Sequence, residues 1–234
     1  MINLPNTIEE SLKGGYRGLY GEVVTCDMYH LHQVTFQPDV IFDIGANVGV
    51  FSRFARELFP KALIVAVEPD PENAAVFRKF THDPNLILLE VALGSGLVYR
   101  GLTAANGAGE SYLSVGLGFP KAEVEQAAER RQGIEVTSVR SFSLVDLVNP
   151  YWNSKLKSLM KIDCEGAENG LWQDPASMIL LRMMDYLTIE VHCYAFTGAV
   201  HAEVVEATHQ ALQSLRTSHR CELDGVYFWA TRVV

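Results

Sequence analysis

From Val40 onward the chain alternates short apolar, β-branched runs with amphipathic stretches of helical period, and this rhythm restricts the possible folds more than any other feature. A helix between two strands carries the chain back to the end of the sheet where it began, so successive strands run parallel. The strand runs are VIFDI at Val40–Ile44, LIVAV at Leu63–Val67, LILLEVA at Leu86–Ala92, LMKID at Leu159–Asp163 and YLTIEVH at Tyr186–His192. Between the first two, Phe51, Phe54, Ala55 and Leu58 recur at helical spacing, and Pro60 stops that helix. Pro71 suits the first turn of the next helix. Later, Val204, Val205, Thr208, Ala211, Leu212 and Leu215 mark one face of a helix. CELDGVYFWATRVV then reads as a hairpin turning at Asp224 and Gly225, which puts an antiparallel strand at the end of the sheet. The expected architecture is a doubly wound α/β domain over residues 40–234, mostly parallel with an antiparallel C-terminal hairpin strand, after a helical extension at 1–39.

Length permits one such core: 234 residues, 48% hydrophobic and 20% charged, match a globular domain. Twenty-eight acidic against nineteen basic side chains give a formal charge of −9, which disfavours nucleic acid and anionic membrane surfaces as partners. The pairs Arg130 and Arg131, and Lys155 and Lys157, read as solvated surface. Cys26, Cys164, Cys193 and Cys221 lack metal or redox spacing, so a reducing cytoplasm is expected. MINLPNTIEESLKGG is polar where a signal peptide is apolar, and no run is long enough to span a bilayer. The irregular, glycine-rich stretch 94–118 and the polar, helix-forming stretch 123–131 are the expected wall for a second substrate.

The most informative local segment is DIGANVG, Asp43–Gly49, where the first strand gives way to the first helix. Gly45 and Gly49 allow a tight turn and close approach of a ligand. The G-x-x-x-G spacing departs from the G-x-G-x-x-G dinucleotide fingerprint, and Asp43 disfavours a phosphate. A carboxylate there suits a ligand bearing an ammonium and a sulfonium. At the end of the second strand AVEPDPEN places Glu68 where a carboxylate accepts ribose hydroxyls, and Asp70 where it assists or caps the next helix, the cap being the better reading.

A second acidic group closes the fourth and fifth strands: Asp163 and Glu165 in KIDCEGAE, and Glu190 and His192 in IEVH. Side-chain alternation points Glu190 and His192 to one face. Two chemistries fit. His192 takes a proton from an acceptor hydroxyl, oriented by a carboxylate. Alternatively Asp163, Glu190 and His192 hold a divalent metal that acidifies that hydroxyl. Residue by residue, Asp163 also reads as a helix cap and His192 as a satisfied strand-end histidine, while Cys164 and Cys193 read as packing residues.

Taken in order, DIGANVG, AVEPDPEN, VALGSG, the serine-leucine-x-aspartate-x-leucine element in SFSLVDLVNP, KIDCEGAE and IEVH resemble the FkbM family of class I methyltransferases. The resemblance runs from about Val40 to His192, with Val145 before Asp146 a mild departure. It implies a seven-stranded Rossmann-like methyltransferase sheet, S-adenosylmethionine as methyl donor, and O-methylation of a small-molecule, secondary-metabolite or glycan acceptor. By the same resemblance Asp43, Gly45, Asn47 and Gly49 form the donor loop, Glu68 is the ribose acid, and Ala92 and Leu93 lie beside the adenine. Asp163, Glu165, Glu190 and His192 become the catalytic cluster. The competing expectations are a dinucleotide-dependent oxidoreductase on a similar sheet and a catalytically silent cofactor-binding module.

Overall fold

The computed structural model describes residues 17–80, 83–94, 98–100, 112–114, 139–192 and 198–233. A short helix, α1 (Arg17–Tyr20), runs into a π-helical turn at Gly21–Thr25, and a 3-10 turn follows at Leu31–Gln33. Then come β1 (Val40–Ile44), α2 (Val50–Leu58), β2 (Leu63–Val67), α3 (Pro71–Phe80), β3 (Leu86–Leu89) and β4 (Ala92–Leu93). The middle of the chain contributes β5 (Val98–Arg100), β6 (Tyr112–Ser114), β7 (Ser141–Phe142) and α4 (Leu144–Val148). The last part holds β8 (Ser158–Ile162), a 3-10 helix at Ala167–Gln173, α5 (Pro175–Met183), β9 (Tyr186–Glu190), α6 (Gly198–Leu215), β10 (His219–Asp224) and β11 (Tyr227–Arg232).

Seven strands form the main sheet in the order β10-β11-β9-β8-β1-β2-β3. β1 pairs in parallel with both β2 and β8, so the chain winds outward in two directions from the centre. All five residues of β1 and of β8 are buried, as expected of strands covered on both faces. Alternation then divides the core. Val40, Phe42 and Ile44 join Met160, Ile162, Leu187 and Ile189 under α4 and α5. Ile41 faces the other way with Ile64, Leu159 and Tyr186, packed against Phe51, Phe54 and Ala55 of α2. Val23, Tyr29 and Leu31 belong to this second cluster, and Trp229 Nε1 donates to the Met28 carbonyl at 2.9 Å, so the N-terminal segment from 17 lies against the sheet.

Several boundaries differ from expectation. The third strand stops at Leu89, and Ala92–Leu93 turns away to pair in parallel with Ser141–Phe142. The hairpin ends the sheet as expected, with β10 at the edge and β11 antiparallel between β9 and β10, but its two-residue turn is Gly225 and Val226, one residue later than expected. Val205 is 43% exposed, not on the buried face of α6, because that face is set by Val204, Thr208, Ala211 and Leu215. Asp146 is occupied locally: Ser143 Oγ accepts from its N–H at 3.1 Å and bonds its carboxylate at 2.7 Å, capping α4. Of the stretch 94–131, β5 and β6 form an antiparallel pair. The helical reading of 123–131, with Arg130 and Arg131, and Cys193 fall outside the described residues, as do the side chain of His201 and residues 1–16 of the extension.

Candidate active site

Strand alternation sends Asp43 toward α2, and the register sets it opposite Lys161 of β8, which points the same way. Both are buried. Lys161 Nζ lies 3.3 Å from Asp43 Oδ1, while Ser52 Oγ donates to Asp43 Oδ2 at 2.6 Å. Oδ1 accepts no well-directed hydrogen bond, so the nearby ammonium is its compensation. Lys161 also donates to the Gly45 carbonyl at 2.6 Å and lies 3.4 Å from Asp163 Oδ2. Burial alone would lower the lysine pKa, but the carboxylates of Asp163 and Asp43 more than reverse this and hold the ammonium charged. Asp43 thus lies beneath the glycine turn and does not line the cleft above it, contrary to the direct ligand contact expected for it.

That cleft opens at the carboxyl ends of β1, β2, β4 and β8, where the winding direction changes. Of the expected donor-site residues, Gly45, Asn47, Glu68, Ala92 and Leu93 line it together, and Asp163 and Glu165 join them. Gly45 has φ +82°, and a Cβ on it would lie 1.7 Å from the Asp163 carbonyl oxygen. The two central strand ends approach closely there only because the side chain is missing. At Gly49, φ +85°, a Cβ would meet the Phe77 ring at 2.6 Å.

Glu68 joins two loops. Its Oε2 accepts from Asn47 N–H at 2.7 Å, and its Oε1 from Asp70 N–H at 2.8 Å, with Asn73 Nδ2 at 3.4 Å. Burial outweighs these bonds and pushes the carboxyl up to about 7. Asp70 accepts from Glu72 N–H at 2.7 Å, capping α3, and is not on the cleft wall. Ala92 N–H bonds the Arg140 carbonyl at 2.8 Å, and Gly94 N–H bonds that of Phe142 at 2.9 Å, which fixes the backbone facing the cleft.

The second acidic group gathers around His192, 2% exposed. Its Nδ1 lies 3.0 Å from Glu168 Oε1, which also accepts from the His192 N–H at 2.8 Å. Its Nε2 faces Asp163 at 3.6 Å, Glu165 at 3.8 Å and Glu190 at 3.5 Å. Burial would lower the imidazole pKa, but hydrogen bonds to Glu168 and Glu190 and the surrounding negative charge push it up to about 11. With these carboxylates around it the ring is an imidazolium at neutral pH. Burial would raise the Asp163 pKa, yet Lys161 and His192 outweigh it, aided by a 2.7 Å hydrogen bond from Tyr29 Oη, and hold the group below its usual value. Among the described residues, donor atoms of Asp163, Glu165 and His192 lie within 4.8 Å of one another. Glu165 takes the place that the sequence reading assigned to Glu190 in that set. Cys164 is half-buried on the cleft wall, and burial raises its thiol pKa, so it stays protonated.

Tyr29, Lys161 and Glu168 carry polar contacts of the site that sequence reasoning gave no role. A lone lysine inside the apolar strand SLMKI was a readable signal, since an unpaired buried charge is costly. Glu168, at the start of AENGLWQ, carried a weaker one, and no local pattern marks Tyr29.

A doubly wound sheet with a glycine turn on its first strand and a buried acid on its second, both facing a cleft at the switch point, defines an α/β protein built to bind a nucleoside-bearing cofactor. Residues 43–211, well over half of the chain, match the methyltransferase FkbM domain, and the chain belongs to that family. Its sheet is the mostly parallel, Rossmann-like sheet of class I methyltransferases. It is 39% identical over 80 residues to the 31-O-demethyl-FK506 methyltransferase FkbM of Streptomyces tacrolimicus, covering 33% of this chain and 31% of that one. It is 26% identical over 176 residues to the methyltransferase sdnD of Sordaria araneosa, covering 64% and 65%. The matched part thus spans about a third of the first relative and just under two thirds of the second. Among solved structures, a precorrin-6y C5,15-methyltransferase of Geobacter metallireducens GS-15 aligns over 91% of this chain and 87% of its own, at 14% identity and a TM-score of 0.42. No helix among the described residues is long and apolar enough to cross a membrane.

Proposed function

We propose that this chain is an S-adenosylmethionine-dependent methyltransferase that methylates a hydroxyl oxygen of a small molecule, secondary metabolite or sugar. One observation carries the reading: the strand ends around the cleft present Glu68, Asp163 and Glu165, while the charge of Lys161, which also lines the cleft, is engaged by Asp43 and Asp163. A pyrophosphate meets repulsion there, which counts against a dinucleotide, whereas a sulfonium and an ammonium meet attraction. The turn at Gly45, whose missing side chain lets a ligand approach the backbone, fits such a donor. Once bound, the donor supplies an electrophilic methyl group on a positively charged sulfur.

In this reading Glu68 accepts the ribose hydroxyls, Ala92 and Leu93 offer backbone to the adenine, and Asp163 holds the ammonium. Asp43 acts from below, by neutralising Lys161 and so supporting the turn that Lys161 bonds at the Gly45 carbonyl. Asp70 serves the site only through the cap of α3. The acceptor hydroxyl lies beside Glu165, Glu190 and His192. Its proton passes to a carboxylate of this cluster, or to His192 Nε2 once the ring has handed its own proton to one. A second reading has the close donor atoms of Asp163, Glu165 and His192 hold a divalent cation, whose Lewis acidity would lower the pKa of that hydroxyl. Chelation separates the two: it abolishes turnover only in the second. The net charge of −9 supports a small acceptor over nucleic acid, and the thiols of Cys26, Cys164 and Cys221 are free, as suits a reducing cytoplasm.

Incubation with methyl-labelled donor and a fractionated metabolite extract, with mass spectrometry of the labelled product, tests the proposal. A labelled methyl ether is the expected product. Label on nucleic acid, or on nitrogen or carbon, contradicts the acceptor assignment, and no transfer from any fraction contradicts the activity.

A further inference from the structure

We propose that Tyr29 is a positioning residue of the donor site and that the segment Leu19–Tyr29 forms one wall of that site, an inference that rests on the donor reading above. The segment precedes the family match, which begins at residue 43. Leu19, Val23 and Tyr29 nevertheless line the cleft together with Glu68 and Leu93. The wall is anchored by long-range contacts. Tyr186 Oη lies 3.2 Å from the carbonyls of both Tyr29 and His30, Trp229 Nε1 donates to Met28, and the Tyr29 ring packs edge-on against Phe51 at 5.3 Å.

Tyr29 itself is 4% exposed, and its hydroxyl donates to Asp163 Oδ2 at 2.7 Å. Asp163 has two oxygens and several claimants. Oδ2 faces Tyr29 and Lys161, while Oδ1 points toward His192 at 3.6 Å. By holding Oδ2, which also faces Lys161, the tyrosine hydroxyl fixes the carboxylate plane and keeps Oδ1 turned away from the lysine, toward His192. A carboxylate held this way meets a ligand ammonium without first paying the entropy of orientation. Phenylalanine would preserve the ring packing and leave Lys161 alone to hold Oδ2, so that the carboxylate plane is free to rotate.

The test is a calorimetric double-mutant cycle with S-adenosylhomocysteine on the full chain, using wild type, Tyr29→Phe, Asp163→Asn and the double variant. Tyr29→Phe is expected to weaken binding about tenfold, the loss typical of one hydrogen bond to a charged group. In the Asp163→Asn background the same change should cost less than about twofold, because the group it positions has lost its charge. A merely structural tyrosine would instead lower the melting temperature of the free protein and weaken binding equally in both backgrounds, and that result overturns the proposal. So does wild-type binding that Tyr29→Phe leaves unchanged. Failure of folded wild-type protein to bind S-adenosylhomocysteine removes the donor reading, and this inference with it.

Discussion

Glu68 shows how a single residue reports on the site. Its carboxyl is held up to about 7 chiefly by burial, and the ribose hydroxyls of the proposed donor would interact best with its ionised form. Affinity for S-adenosylhomocysteine should therefore fall as pH drops through 7, by up to about tenfold per unit, and level off above it. In the ligand-free protein the sign is reversed. A raised carboxyl pKa contributes stability that is complete below the unfolded value near 4.5 and is lost as pH rises through about 7. Glu68→Gln should abolish the pH dependence of binding in a calorimetric titration, and a slope unchanged in that variant would place the titrating group elsewhere. Asp43 behaves differently. Asp43→Ala strands part of a buried ion pair and leaves Ser52 unbonded, so chemical denaturation should show a loss of about 3 kcal/mol, with donor binding weakened through the turn. A loss under about 1 kcal/mol would show that Asp163 alone satisfies Lys161. For His192→Ala the expected result is unchanged donor affinity with turnover reduced by about 10²- to 10⁴-fold. Full turnover in that variant would leave orientation of the acceptor as the main contribution.

At the scale of elements, the loop from β1 to α2 depends on two glycines for different reasons. Gly45→Ala sets a methyl group against the backbone carbonyl of Asp163, which cannot move without shifting the end of β8. Gly49→Ala meets the ring of Phe77, a side chain and not backbone, although alanine at either position carries the strain of positive φ. Gly45→Ala should thus abolish donor binding while Gly49→Ala weakens it, measured by the melting shift each protein shows with S-adenosylhomocysteine. Equal shifts in both would contradict the backbone argument. Strand cores were legible because β1, β2, β8 and β9 are mostly apolar runs, but their ends were not. LILLEVA reads as one strand, yet at Glu90 the chain leaves β3 and repairs with β7, a partner 48 residues or more away whose register no local pattern encodes. The insertion of β11 beside β9 likewise depends on tertiary pairing, whereas the hairpin itself was readable from Asp224 and Gly225.

Across the whole molecule, the doubly wound fold and most of the cleft followed from periodicity and motifs, because Gly45, Glu68, Ala92 and Asp163 sit at strand ends that the topology must bring together. Contacts made at long range were not legible in the same way. Tyr29 and Asp163 are 134 residues apart, and Glu168 reaches His192 across 24. Everything proposed for the cleft requires that it take a sulfonium donor and not a dinucleotide. Titration of the purified full chain with S-adenosylhomocysteine and, separately, with NAD tests it most directly. Saturable one-to-one binding of S-adenosylhomocysteine with no measurable binding of NAD is the predicted result, and saturable binding of NAD with none of S-adenosylhomocysteine would contradict it.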